Sequence, residues 1–244
     1  GSSLPTANHL GGKVQDVGDV NADGIHDYMV TDPLMAGGGT ERGSAFLIFG
    51  QQGSIGDDFN LANLTPAQGI RLDGAMDYEN LGGLSFDYGN NGSADAWYSG
   101  EGRTIGSIGD INGDGIDDFA VGSPEWGDAA QRDGFAPGRV YVVYGKSSGW
   151  SSGGIATQAS GTTGFTLASS AATDQSLGYT IAGAGDVNGD GIDDFLVGAA
   201  AGDATAVDAG QVYLVYGQAG GGFASGNLET MVGAGNAVQI NGAA

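Results

Sequence analysis

The chain has 244 residues, of which 40% are apolar, 50 are Gly and five are Pro, enough to bury a core in one or two domains. Seven Lys and Arg stand against 29 Asp and Glu, and the formal net charge of −22 repels phosphate backbones and anionic lipid headgroups, which excludes nucleic acid as a partner. There is no Cys, hence no disulfide framework and no thiolate metal site, and no apolar stretch approaches the ~20 residues of a membrane span, so no membrane insertion is expected.

The chain opens on Gly1-Ser2-Ser3, which reads as a tag scar and leaves room for a native leader to have been cut away. From there one unit recurs three times. The first begins with "LGGKVQDVG" (10–18), an apolar segment behind a Leu-Gly pair, and continues into the polar string "DVNADGIHD" (19–27). Two apolar runs follow, "DYMVTD" and "SAFLIFG", and "GIRLDGA" (69–75) closes the unit. Between them, "LANLTPAQ" (61–68) is at most one short turn, because Pro66 breaks it. The second unit has "LGG" (81–83), an inserted stretch at 85–103, "TIGSIG" (104–109), "DINGDGIDD" (110–118), "DFAVGS", "RVYVVYG" and "GFTLASS" (164–170). The third has "LGYTIAGAG" (177–185), "DVNGDGIDD" (186–194), "DFLVGA", "QVYLVYG" and "AVQINGA" (237–243).

The apolar runs are short, rich in Val, Ile, Tyr and Phe, and bounded by Gly, Asn, Asp and Pro, which predicts strands. No segment has a helical apolar period over ten or more residues, so the chain reads as all-β. "YVVY" and "FLVG" are apolar at consecutive positions, which predicts strands buried on both faces, as in sheets stacked face to face. Four-stranded antiparallel sheets stacked in this way are the blades of a β-propeller. The repeats assign blade 1 to 8–75, blade 2 to 80–170 and blade 3 to 176–244 of a single propeller segment. Three blades fall short of the usual ring of about four to eight. The segment is then part of a larger propeller with further blades in the parent chain, or half of a homodimer completing a six-bladed ring. The C-terminal "INGAA" is what would precede the "ANHLGG" near the start, so the two ends are in register to follow one another.

Each polar string places oxygen-bearing side chains at loop positions 1, 3, 5 and 9, counted from its first Asp. These are Asp19, Asn21, Asp23 and Asp27; Asp110, Asn112, Asp114 and Asp118; and Asp186, Asn188, Asp190 and Asp194. Alternate side chains on a curled loop can converge, and the Gly at position 6 permits the sharp turn. Position 7 (Ile25, Ile116, Ile192) would add a backbone carbonyl, and position 9 would close the cage. An all-oxygen, flexible donor set suits Ca²⁺ better than Mg²⁺, giving three expected calcium sites. An EF-hand would need Glu at position 12; Val30, Val121 and Val197 stand there, inside β runs, so it is rejected. Asp117 and Asp193, at position 8, are expected to be solvated.

The succession Leu-Gly, apolar strand, "GDVNGDGIDDFLVGA" and "VYLVYG" resembles the FG-GAP repeat of integrin alpha-chain propellers and of bacterial surface and secreted proteins. The link "FGQQGSIGDDFNLANLTPAQGIRLDGA" (49–75) is similar to the bacterial branch. Unit 1 departs from the pattern at Ala22 and His26, neither of which is expected to be a side-chain ligand. The resemblance implies a calcium-binding module of a secreted or cell-surface protein, acting in adhesion or ligand recognition. A structural spacer in a giant adhesin or toxin-like protein, or an accessory domain of an extracellular hydrolase, are the other readings. Tyr88, Trp97 and Tyr98 in the insertion, joined by Trp126, are the candidate anchors for a protein or glycan ligand. No catalytic residues are expected. "GKSSG" (145–149) has the G-x-S-x-G pattern but lacks a following helix and a partner His, and acid pairs such as Asp73 and Asp77 read as surface.

Overall fold

The computed structural model describes residues 10–36, 42–53, 59–77, 79–83, 103–124, 137–169, 176–200 and 209–242. The insertion at 85–103 lies almost wholly outside them, as do Tyr88, Trp97, Tyr98 and Trp126. Three sheets succeed one another along the chain. The first is built from β1 (Val14–Gly18), β2 (Asp27–Asp32), β3 (Ser44–Ile48) and β4 (Gly69–Asp73). The second uses β5 (Ile105–Gly109), β6 (Asp118–Ser123), β7 (Arg139–Val143) and β9 (Gly164–Ala168), and the third β10 (Leu177–Gly185), β11 (Asp194–Ala199), β12 (Gln211–Val215) and β14 (Ala237–Asn241). Neighbouring strands in each quartet pair antiparallel in a simple up-and-down meander.

The link between the third and fourth strands of a unit reaches back to the sheet before it. In unit 2 this link carries β8 (Gly153–Gly154), which adds to the outer edge of β4 in parallel, Leu72 facing Gly153. In unit 3 it carries β13 (Gly226–Asn227), which adds to β9, Leu167 facing Gly226. A short helix follows each: α1 (Ile155–Gln158) and α2 (Leu228–Ala234). In the same place unit 1 has, among the described residues, a 3-10 turn at Leu61–Asn63, capped by the Asn60 side chain. The all-β reading is therefore correct for the sheets and omits α2. Its apolar residues Leu228, Met231 and Val232 follow helical spacing for less than two turns, too short a run to show periodicity. Gly235, in the left-handed region at φ 81°, ends the helix.

The sheets stack face to face, with first strands side by side, β1 against β5 and β5 against β10. Alternation along each strand then decides which neighbour a side chain meets. Phe119, Val121, Tyr141 and Val143 of sheet 2 pack with Met29, Leu47, Ile70 and Leu72 of sheet 1 in one apolar cluster. Ala120, Val140, Val142 and Phe165, on the opposite face, join Phe195, Val197, Tyr213 and Val215 of sheet 3 in another. "YVVY" is thus buried on both faces, as expected. "FLVG" is not: Phe195 and Val197 are fully buried, but Leu196 and Gly198 face outward from sheet 3 and stay partly exposed, since no further sheet covers them among the described residues.

Candidate metal centre

Every polar string is the connection between the first and second strands of its sheet, so the three loops lie at the same end of the stack. A bulge precedes each one, between Asp16 and Gly18, Ser107 and Gly109, and Gly183 and Gly185. The last Gly of each pair has positive φ (84°, 72° and 67°), which turns the chain sharply out of the sheet and into the loop.

Within the loop the polar side chains curl the backbone around themselves. In loop 2, Asp110 Oδ1 accepts from the Gly113 and Asp114 amides and its Oδ2 from Gly115; Asn112 Oδ1 accepts from Asp114, and Asp114 Oδ1 from Ile116, at 2.7–3.0 Å. Loop 3 repeats the whole set with Asp186, Asn188 and Asp190. Loop 1 repeats it with Asp19, Asn21 and Asp23, save the first bond. Positions 3 and 5 also touch directly, Asn21 to Asp23 at 3.0 Å and Asn188 to Asp190 at 2.8 Å. Positions 1, 3 and 5 are thereby gathered on the concave side of one tight turn. Position 6 is Gly in each, at φ 84°, 88° and 89°.

Position 9 has a different setting. Asp27, Asp118 and Asp194 are buried at the starts of β2, β6 and β11. One oxygen of each accepts from the loop's second residue (Val20, Ile111, Val187) and the other from the Gly after the third strand (Gly50, Gly145, Gly217), at 2.8–3.0 Å. Burial pushes the Asp118 carboxyl up to about 8 against the pull of the Gly145 and Ile111 amides, and the charges of Asp114 and Asp110 push the same way. Asp27 is pushed up to about 6 for the same reasons. A carboxyl driven toward its neutral form by burial and like charge is one that a cation close by would re-ionise. Among the described residues no group of three or more His, Asp or Glu side chains converges tightly enough to hold an ion. The side-chain oxygens gathered in each loop are carboxylate and amide oxygens, hard donors of the kind Ca²⁺ takes, and in this structure they accept from the loop's own amides.

Asp117 and Asp193, expected to be solvated, instead cross to the preceding sheet. Asp117 Oδ2 accepts from the Asp19 amide at 2.9 Å, and Asp193 Oδ2 from the Asp110 amide at 3.1 Å. A Cβ on Gly18 or Gly109 would collide with these carboxylates, so the bulge glycine makes room for them. Loops 1 and 2 are thus each bracketed by the next unit. The repeated pairing of this Gly with an Asp one unit later was the available signal in the sequence. His26 holds the same position in loop 1 and turns back to Asp16, Nδ1 to Oδ2 3.0 Å, with both side chains largely exposed.

A second polar anchor at the seam of sheets 1 and 2 gave no sequence signal. Glu79 is buried, accepts from the Met76 amide at 2.9 Å, the Ala75 amide and the Tyr141 hydroxyl, and is pushed up by burial. The acids weighed for hydrolysis are occupied structurally, Asp73 with Arg71 and Ser44, and Asp77 with Arg42. Ser147 lies in an exposed loop.

The FG-GAP repeat profile matches residues 102–143 and 177–215, each spanning the loop and the first three strands of sheets 2 and 3. The chain carries FG-GAP repeats. Its sheets are β-propeller blades of that type, and sheet 1 repeats their strand order and loop geometry. Over 185 residues the chain is 30% identical to integrin alpha-7 of Rattus norvegicus and 29% identical to integrin alpha-7 of Homo sapiens. In both cases the match covers 76% of this chain but 12% of the relative, so this chain spans about an eighth of the length of those proteins. No helix among the described residues is long and apolar enough to cross a membrane.

Proposed function

We propose that this chain is a calcium-stabilised propeller module of a secreted or cell-surface protein, acting in adhesion or ligand recognition rather than catalysis. One observation carries the reading: three loops, 91 and 76 residues apart, fold into the same Asx-curled turn with the same oxygen donors in the same places. Asp19, Asn21 and Asp23 would hold the ion in loop 1, with the Ile25 carbonyl and Asp27 completing the set; loops 2 and 3 would use their counterparts. The ion supplies positive charge where several carboxylates would otherwise repel one another. Three ions would bring the net charge from −22 to about −16. Extracellular modules bind calcium with dissociation constants of ~10⁻⁴–10⁻³ M, which fills such sites outside a cell and leaves them mostly empty in cytosol.

The integrin alpha-7 likeness supports the adhesive reading, and a protein or glycan is the ligand class it suggests. Thermal unfolding in calcium and in chelator tests the module. Calcium at a hundredfold excess over its dissociation constant should add ~2.7 kcal/mol per site. The Asp110→Ala variant should lose about one site's worth of that gain. Identical melting with and without calcium would refute the reading.

A further inference from the structure

We propose that the three calcium sites are coupled in series, loop 3 to loop 2 to loop 1, so that an ion in one loop tightens binding in its neighbour across the seam. Asp193 and Asp117 are the positioning residues that carry the coupling. The inference rests on the calcium reading above and adds that the sites do not fill independently.

Each seam joins two loops at two places. The first is a side-chain bond. Asp193 precedes Asp194, the ninth-position donor of loop 3, and its carboxylate accepts at 3.1 Å from the amide of Asp110, whose own carboxylate is the first-position donor of loop 2. Asp117, next to Asp118 of loop 2, accepts in the same way from the amide of Asp19 in loop 1 at 2.9 Å. One residue thus serves two loops: the later loop holds its N–H, while its carboxylate curls the earlier one. A Cβ on Gly109 or Gly18 would lie only 2.1 or 2.3 Å from the Asp193 or Asp117 oxygen, so these carboxylates are seated directly against the bulge.

The second connection is through peptide groups. Gly217 donates to Asp194 at 2.9 Å, and the next residue, Gln218, donates to the Ile111 carbonyl at 2.9 Å. Ile111 in turn donates to Asp118 at 3.0 Å, and Gly145 donates to the same carboxylate at 2.8 Å. Lys146 then donates to the Val20 carbonyl at 2.9 Å, and Val20 to Asp27 at 3.0 Å. The ninth-position carboxylates of all three loops are therefore joined by one run of hydrogen-bonded peptides. Among the described residues no such bond links loop 1 directly to loop 3.

The sign of the coupling follows from what each loop does alone. Without an ion, repulsion among its carboxylates favours fraying; with one, the curled arrangement is selected. Curling loop 3 fixes Asp193 and Gln218 where they hold the Asp110 amide and the Ile111 carbonyl. Part of the ordering that loop 2 must undergo is then met before its own ion arrives. The effect is reciprocal. Loop 2, with a neighbour on either side, is the centre of the series.

The test is a site-resolved calcium titration of the full chain by NMR, starting from chelator-treated protein. The amides of Gly24, Gly115 and Gly191 each donate to the first Asp of their own loop and so report its filling. Blocking loop 3 with Asp186→Ala should raise the calcium midpoint at Gly115 by about fivefold or more, and that at Gly24 by much less. In an Asp193→Ala background the same block should move Gly115 by about twofold or less. Asp193→Asn, whose side-chain oxygen can still accept from the Asp110 amide, should keep the effect. An unmoved Gly115 midpoint, with loops 1 and 2 still filling, would overturn the coupling and leave the calcium reading standing. No response at any of the three glycines at millimolar calcium would overturn the calcium reading and the coupling with it. Equal shifts at Gly24 and Gly115 would overturn the seam as the route, because a general loss of stability does not distinguish neighbours. Equal loss of the effect in Asp193→Asn and Asp193→Ala would overturn the hydrogen bond as its carrier. Should circular dichroism show that Asp186→Ala unfolds, Asp19→Ala at the other seam, read at Gly115 with and without Asp117→Ala, decides the same question.

Discussion

Ala22 is the residue where loop 1 departs from its siblings at the level of backbone geometry. Loops 2 and 3 have Gly113 and Gly189 there, at φ 73° and 79°, and Ala22 is forced to φ 60° in the same left-handed well. A Cβ in that well costs ~1–2 kcal/mol, partly offset by the smaller entropy an Ala loses on folding. Ala22→Gly should therefore stabilise the chain by about 0.5–1 kcal/mol in urea unfolding, although it adds no contact. His26, the loop's other departure, is exposed, and its proton affinity is raised mainly by the hydrogen bond with Asp16. It occupies the place from which its counterparts Asp117 and Asp193 bracket a neighbouring blade, and it turns to Asp16 instead.

At the scale of elements, what a strand contributes depends on whether another sheet covers it. Leu167 and Ile240 occupy the same place in β9 and β14, one fully buried and one 51% exposed. Leu167→Ala should cost ~2–5 kcal/mol through lost burial and a residual cavity, and Ile240→Ala less than ~1 kcal/mol, measured by chemical unfolding in calcium. Comparable losses at both positions would mean that β14 is covered in the isolated chain. This contrast also marks where sequence reading stops. The strands and loops were legible because their signals are local: "RVYVVYG" and the Asp-Asn-Asp-Gly spacing need no knowledge of neighbours. Burial of "FLVG" on both faces was expected from the same pattern and failed, because it depends on a sheet beyond the third. β8 and β13 are Gly-Gly and Gly-Asn, strands only because an edge lies beside them. The burial of Glu79 comes likewise from packing that composition does not encode, whereas the reach of Asp117 and Asp193 across the seams had a signal in the repeated Gly–Asp pairing.

For the whole molecule, the distribution of charge is the central fact. Carboxylates gather at one end of the stack, and loops 1 and 2 are bracketed by the blade that follows, so each of these two sits where two sheets meet. Ordering a loop there would fix the seam as well as the turn, so the proposed calcium ions would act on the cohesion of a molecule with a net charge of −22. Calorimetric titration of the full chain with calcium, from chelator-treated protein at near-physiological ionic strength, tests this most directly. The account predicts close to three ions per chain with dissociation constants in the ~10⁻⁴–10⁻³ M range, and one ion fewer for each loop in which the first Asp is replaced by Ala. A chain that takes up no calcium at millimolar concentration, or the same number after Asp19, Asp110 and Asp186 are all replaced, would contradict it.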